Sequence, residues 1–232
     1  MTTLSIIIPS FNESKTLGPL LDKILAVDLK NSLDREIIII DDCSTDETSA
    51  IIHQYISSHR SDRIIQFRRS KNQGKGAAIR TGLAMATGEF VIIQDADLEL
   101  DPSDYNILLE PILSDEADVV YGSRFLLESQ ETQFSFHRWI NGLLTSLSNA
   151  RTGLSLTDME TCYKVFRINC IKLIELKEDR FGFEPEITAK IAKLPGIRIR
   201  ELGISYTRRS YAEGKKIGWK DGIRALYCIL RY

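Results

Sequence analysis

The segment Val91–Leu100, VIIQDADLEL, joins a continuous apolar run to three carboxylates at alternate positions, Asp95, Asp97 and Glu99, with no cation among them. An apolar run without polar alternation suits a strand covered on both faces, as in a parallel sheet flanked by helices. If the strand direction persists beyond Ile93, side chains two apart point the same way and the three carboxylates converge. Converging carboxylates repel one another unless water separates them or a divalent cation draws them together, and hard oxygen ligands of this kind suit Mg²⁺ or Mn²⁺. Taken alone, a D-x-D triplet also fits a solvated loop after a strand.

Outward from this segment the same grammar repeats. The strand-like runs LSIIIPS, EIIIIDD and RIIQF alternate with helical stretches at 14–27, 46–58 and 76–86, and DVVYGSR, TCYKVFR and IRIRELGISY follow as further strands, with helices at 136–147 and 218–230. Strand–helix–strand repetition implies a Rossmann-like α/β fold, a mostly parallel sheet with right-handed crossovers and helices on both faces. No internal repeat, low-complexity tract or linker interrupts it.

In open α/β sheets ligands bind beyond the carboxyl ends of the strands, which places PSFNE, DDCSTDE and DADLE on one rim. Ser10-x-x-Glu13 and Ser44-x-x-Glu47 fit capping boxes for the helices that follow. Asp41 and Asp42 precede the cap, so they need water, a donor-rich ligand or a cation. In NQGKGAAIRTG, Gly74 and Gly76 flank a helix start. The spacing G-x-G-x-x-G is absent and the glycines do not follow the first strand, which excludes a dinucleotide fingerprint and leaves a tight turn.

Composition narrows the function classes. With 30 Lys+Arg against 32 Asp+Glu and a formal charge of -2 over 232 residues, no global field favours nucleic acid. The stretch after Arg180 is locally basic and could meet phosphate or a membrane surface. Cys43, Cys162, Cys170 and Cys228 show no C-x-x-C spacing and, without a signal peptide, read as reduced thiols rather than zinc ligands. No apolar run approaches the roughly 18 to 20 residues needed to cross a bilayer, so the chain is expected to be cytoplasmic, or peripheral at the cytoplasmic face of a membrane.

The ordered set IIIPSFNE, IIIIDDCSTDET, NQGKGAAIRTG, DADLELDP, YGSRF and DMETCYKVFR resembles family 2 glycosyltransferases with a GT-A fold, especially polyprenyl-phosphate hexosyltransferases of the dolichol-phosphate mannose synthase type, over about Leu4 to Arg209. The resemblance implies a catalytic domain at 1–210 and a basic amphipathic segment at 211–232. It further implies that Pro9, Phe11 and Glu13 line a nucleotide pocket, with Phe11 stacked on the base, Asp42 accepting from the base, and Lys75 and Asp95 also on the nucleotide side. Asp95, Asp97 and Glu99 match the metal and diphosphate site, where related enzymes often carry Gln in place of Glu99. The implied reaction is an inverting, Mg²⁺- or Mn²⁺-dependent transfer of hexose from GDP-mannose or UDP-glucose to dolichyl or undecaprenyl phosphate.

Asp97, Asp158 and Arg124 are the implied catalytic residues. A phosphate acceptor has a second pKa of about 6 and needs no strong base, so an orienting role for Asp158 is favoured over proton abstraction. Arg124, Arg138, Arg208 and Arg209 are the cations available to an anionic acceptor. Cys162 replaces a glycine common in the family, which raises the question of a positive φ there. Two other readings stand beside this one: a family member that glycosylates a glycan hydroxyl, and a non-catalytic nucleotide-sugar-binding module.

Two helical stripes complete the reading. Phe136, Trp139, Ile140, Leu143, Leu144 and Leu147 form an i, i+3, i+4, i+7 stripe expected to pack in the core. Trp219, Ile223, Leu226, Tyr227 and Leu230 form another, bordered by Lys215, Lys216, Lys220, Arg224 and Arg231, which suits either a membrane interface or a final core helix.

Overall fold

Isoleucine-rich strands occupy the middle of the sheet. In the computed structural model, which describes residues 2–127, 136–207 and 219–232 except for the side chains of Phe136, His137 and Trp219, seven strands are present among the described residues. They are β1 (Thr3–Ser10), β2 (Asp34–Asp41), β3 (Ile64–Arg68), β4 (Phe90–Ile93), β5 (Val119–Ser123), β6 (Lys164–Arg167) and β7 (Ile199–Gly203), joined in the order β3-β2-β1-β4-β6-β5-β7. Ile6, Ile7 and Ile8 of β1 lie beside Ile37, Ile38 and Ile39 of β2 in parallel register. All six are fully buried although successive side chains point to opposite faces, so both faces of the sheet are covered.

The expected α/β fold is observed, with one reversal. β6 runs antiparallel to both β4 and β5, while the other pairings are parallel. The consequence is functional: the polar stretch 158–163, which leads into β6, arrives at the same rim as the C-terminal ends of β1, β2, β4 and β5.

The helices are α1 (Leu17–Ala26), α2 (Thr48–Ser58), α3 (Lys75–Met85), α4 (Tyr105–Leu113), α5 (Phe136–Thr152), α6 (Ile168–Lys172), α7 (Phe183–Ala192) and α8 (Trp219–Arg231). α3 lies against β1 and β2, α4 against β5, β6 and β7, and α5 and α7 both meet α8. Sequence patterning located α1, α2, α3, α5 and α8 but passed over α4, α6 and α7. α4 carries Pro111 in its interior, and α7 is buried on nearly every side, so neither shows a clean apolar stripe.

The two stripes do not behave alike. On α5, Leu144 is buried and Ile140 packs against the core, but Trp139, Leu143 and Leu147 are exposed, which corrects the expectation of a core stripe. On α8 the inward side is Ala225, Cys228 and Ile229, whereas Ile223, Leu226, Tyr227 and Leu230 face outward. The α8 stripe is therefore a surface feature and not the helix's core contact.

Candidate active site

Three strand ends build the rim from the left of the sheet to its centre. After β1, the backbone N–H groups of Asn12, Glu13 and Ser14 donate in succession to Ser44 Oγ (3.0 Å), Thr48 Oγ1 (2.8 Å) and Asp46 Oδ2 (3.2 Å) of the β2–α2 connection. Asn12 returns the contact by accepting from Thr45 N at 2.8 Å. Of the side chains that suggested capping boxes, Ser44 is thus spent across loops, and Glu13 Oε2 accepts from Thr16 Oγ1 at 2.8 Å. α1 starts at Leu17 and α2 at Thr48, neither with a side-chain cap, so the boxes at Ser10-x-x-Glu13 and Ser44-x-x-Glu47 are not formed. Burial raises the pKa of Asp46, but its bonds with Thr48 and Ser14 outweigh that and bring it down to about 2. Pro9 lies opposite Ile40, one pair before the ladder ends at Ser10 and Asp41, and Phe11 stands half-buried at the head of the stapled loop.

Asp42 is held by the neighbouring loop. Its carboxylate, almost fully buried, accepts from Gln73 N at 3.1 Å and Gly74 N at 2.7 Å, and pairs with Arg69 Nε at 3.3 Å. These partners take up most of the acceptor capacity that a base would use. The structure gives Asp42 the task of fixing the 69–74 loop that delivers Lys75. Asp41 is fully buried, accepting from Ser44 N at 2.8 Å with Arg68 Nε 3.6 Å away.

The expected convergence of Asp95, Asp97 and Glu99 does not occur, because the strand direction does not persist. β4 ends at Ile93; Leu98 takes φ +63°, and Asp97 Oδ1 accepts from Glu99 N at 3.1 Å in a tight local turn. Asp95 turns toward Lys75 Nζ at 3.0 Å, while Glu99 Oε2 accepts from Tyr206 Oη at 3.3 Å. Among the described residues no three His, Cys, Asp or Glu side chains are grouped to hold a metal ion. Asp95 and Asp97 remain as two half-buried hard-oxygen donors on one loop. That set fits Mg²⁺ or Mn²⁺, since such ions often use one or two carboxylates and complete their shell with phosphate oxygens and water.

Lys75 ties this loop to residues that sequence reading did not single out. Its ammonium pairs with Asp95 and, at 2.9 Å, with Glu184 of α7. Burial works against the Lys75 charge, but Asp95 and its other acidic neighbours hold its pKa well above the ordinary lysine value; Asp95, pushed up by burial, is held below its own by Lys75. Beneath them Lys164, itself buried, donates to Thr161 O, and burial lowers its pKa. Glu160, Thr161 and Glu184 each keep a buried side-chain oxygen without a hydrogen-bond partner. Burial, and next the charge of Glu184, push Glu160 up to about 8. A Glu or Lys in a strand-like stretch reads as surface in the sequence; only the antiparallel insertion of β6 puts these groups inside.

The far side of the rim is cationic. Arg124, just after β5, holds Asp158 by two parallel bonds, Nε to Oδ2 at 2.7 Å and Nη2 to Oδ1 at 2.8 Å, and its backbone N–H donates at 3.1 Å. Asn141 of α5 adds a fourth donor at 2.9 Å. Burial raises the pKa of Asp158, yet the Arg124 charge and these bonds more than offset it and keep the carboxylate ionised. The guanidiniums of Arg124 and Arg138 both lie over the Phe125 ring, 5.6 and 5.0 Å from its centroid. Arg208 and Arg209 lie outside the described residues. Cys162 is buried with an ordinary φ; the non-glycine residues with positive φ at this rim are Asn12, Cys43 and Leu98 instead.

The fold has known counterparts. Glucosyl-3-phosphoglycerate synthase from Mycobacterium tuberculosis, solved with Mn²⁺, uridine diphosphate and phosphoglyceric acid, superposes with a TM-score of 0.73 over 99% of this chain and 78% of that one, at 19% identity. A mannosyltransferase from Pyrobaculum calidifontis, solved with GDP-mannose and Mn²⁺, gives 0.63 over 86% of this chain and 54% of the other, at 20% identity. In sequence, the dodecaprenyl-phosphate galacturonate synthase of Rhizobium johnstonii is 27% identical over 91% of this chain, which spans 61% of that enzyme's length. The human dolichyl-phosphate beta-glucosyltransferase is 28% identical over 99% of this chain, which spans 75% of its length. The sequence profile of Glycosyl transferase family 2 matches residues 5–173, from β1 through the Asp158 and Lys164 segment to the end of α6, and the chain belongs to that family.

Proposed function

We propose that the protein transfers a hexose from a nucleotide sugar to a polyprenyl phosphate, inverting the anomeric carbon, while bound peripherally at the cytoplasmic face of a membrane. The observation that carries this reading is the arrangement of Asp158. A hydroxyl acceptor requires a base to take its proton. Asp158, already accepting from Arg124 three times and from Asn141, is built to orient a cation and not to abstract a proton. Arg124 and Arg138, both over the Phe125 ring, suit an acceptor that arrives negatively charged.

On this reading Phe11 and the stapled loop hold the base, and Lys75 steadies the diphosphate. Mg²⁺ or Mn²⁺, held by Asp95 and Asp97, would neutralise the charge that develops on the leaving diphosphate. Arg124 and Arg138 hold the acceptor phosphate so that one of its oxygens forms the new bond to the anomeric carbon as the bond to the diphosphate breaks. A single displacement of this kind inverts the centre. No helix among the described residues is long and apolar enough to cross a membrane. The exposed Trp139, Leu143 and Leu147 of α5 and Ile223, Tyr227 and Leu230 of the adjoining α8 give it an apolar surface suited to the lipid interface, and their basic neighbours Arg138, Lys220 and Arg231 suit anionic headgroups. Support for the lipid acceptor also comes from the relatives, whose names specify dodecaprenyl and dolichyl phosphates.

The test is to incubate the chain with Mn²⁺ or Mg²⁺, radiolabelled GDP-mannose or UDP-glucose, and vesicles containing dolichyl or undecaprenyl phosphate. Label should pass into the organic phase, EDTA should stop it, and Asp97→Ala should slow it by about 10²-fold or more without lowering the melting temperature. Transfer unaffected by EDTA and by Asp97→Ala would remove the metal from the scheme.

A further inference from the structure

α8 closes on the segment that supports the N-terminus of α3. Arg224 grips both carboxylate oxygens of Glu178, through Nε at 2.8 Å and Nη2 at 2.8 Å, and Tyr232 Oη donates to the same group at 3.3 Å. The Glu178 side chain is 5% exposed. Behind it, the backbone of 178–180 lies directly on α3: Ala77 N donates to Asp179 O at 2.9 Å, Arg80 Nη1 donates to Glu178 O at 2.5 Å, and Arg80 pairs with Asp179.

Two glycines permit this approach. A Cβ at position 74 would stand 2.7 Å from Asp179 O, and one at 76 would stand 3.0 Å from Arg180 O. Gly74 also takes φ +103°, which side chains other than glycine's rarely allow. From the opposite side Asp42 holds Gln73 N and Gly74 N. Lys75 lies between these two supports, and its ammonium reaches Asp95 and Glu184. The segment is tied to α7 as well, since Glu186 accepts from Lys177 N and Glu178 N at 2.7 Å each.

We infer that Arg224 is a positioning residue for the donor site: by locking Glu178 it presses 178–180 onto Gly74 and Gly76 and so fixes Lys75 against Asp95. The inference rests on Lys75 serving the donor diphosphate, as proposed above. An ion pair with a half-exposed arginine adds little to global stability. Its effect is local, on the geometry of the α3 N-terminus.

Calorimetric titration of the full chain with GDP and with UDP, each with Mg²⁺, tests this through a double-mutant cycle. Arg224→Ala should weaken the tighter nucleotide by about fivefold or more, and Glu178→Gln, which keeps the volume but offers Arg224 one acceptor oxygen in place of two, should weaken it in the same direction; in a Lys75→Ala background, Arg224→Ala should add less than about twofold. Unchanged affinity in Arg224→Ala, or a full additional loss on top of Lys75→Ala, would overturn the clamp while leaving the role of Lys75 standing. An affinity unaltered by Lys75→Ala alone would reject the diphosphate role of Lys75, and the clamp with it.

Discussion

At Glu160 a single carboxyl shows what burial does to this site. Its pKa, raised by burial and by Glu184 to about 8, lies above the unfolded value of 4.5, so the folded chain keeps a proton that the unfolded chain has lost. Stability contributed by this group is therefore complete below about pH 4.5 and declines as pH rises toward about 8. Glu160→Gln preserves the neutral shape, so denaturant melts at pH 5 and pH 8 should differ less in the variant than in the wild type. The same decline in both proteins would show that Glu160 ionises normally. The residues of the candidate site were unevenly legible. Asp95, Asp97, Arg124 and Asp158 were singled out because each belongs to a family-like segment of distinctive composition. Glu160, Lys164 and Glu184 were not, since only the tertiary position of β6 and α7 distinguishes a buried charge from a surface one. Asp42 was singled out, but the backbone N–H groups it binds lie 31 and 32 residues away in the chain and could not be read from it.

The loops and helices carry the next level of control. Asp42 joins β2 to the 69–74 loop, so its loss should act on nucleotide binding through that loop. Asp42→Ala leaves two backbone N–H groups and Arg69 without their acceptor, and nucleotide affinity should fall by roughly 1 to 3 kcal/mol by calorimetry with GDP and UDP. Unchanged affinity for both would mean that the loop holds its shape without this carboxylate. At this scale the strands were readable because their isoleucine runs are continuous, and α1 and α2 were readable apart from their first turns. Those turns were misplaced because Ser44 and Thr48 accept from the loop after β1, and Asp46 divides its carboxylate between Ser14 N of that loop and Thr48 N at the start of α2. α7 escaped because a helix buried on nearly all sides has no polar face to set its period, and α4 because Pro111 breaks the pattern that signals a helix.

For the molecule as a whole, the sheet sets the Lys75–Asp95 side and the Arg124–Asp158 side of one rim next to each other, and the adjoining helices α5 and α8 both carry exposed apolar residues. Leu143→Asp with Leu230→Asp places charge on exposed positions, so the fold should survive; cosedimentation with anionic vesicles should fall several-fold while nucleotide affinity stays unchanged. Equal sedimentation of variant and wild type would assign the membrane contact elsewhere. The central claim is that the nucleophile is a phosphate oxygen held by Arg124 and Arg138, with Asp158 as its organiser. It is tested most directly by measuring turnover in parallel on a polyprenyl phosphate, the corresponding polyprenol and a soluble glycan, with donor and metal held constant. Product on the polyprenyl phosphate, with none on the polyprenol or the glycan, is the predicted result. Transfer to either hydroxyl acceptor at a comparable rate would contradict it.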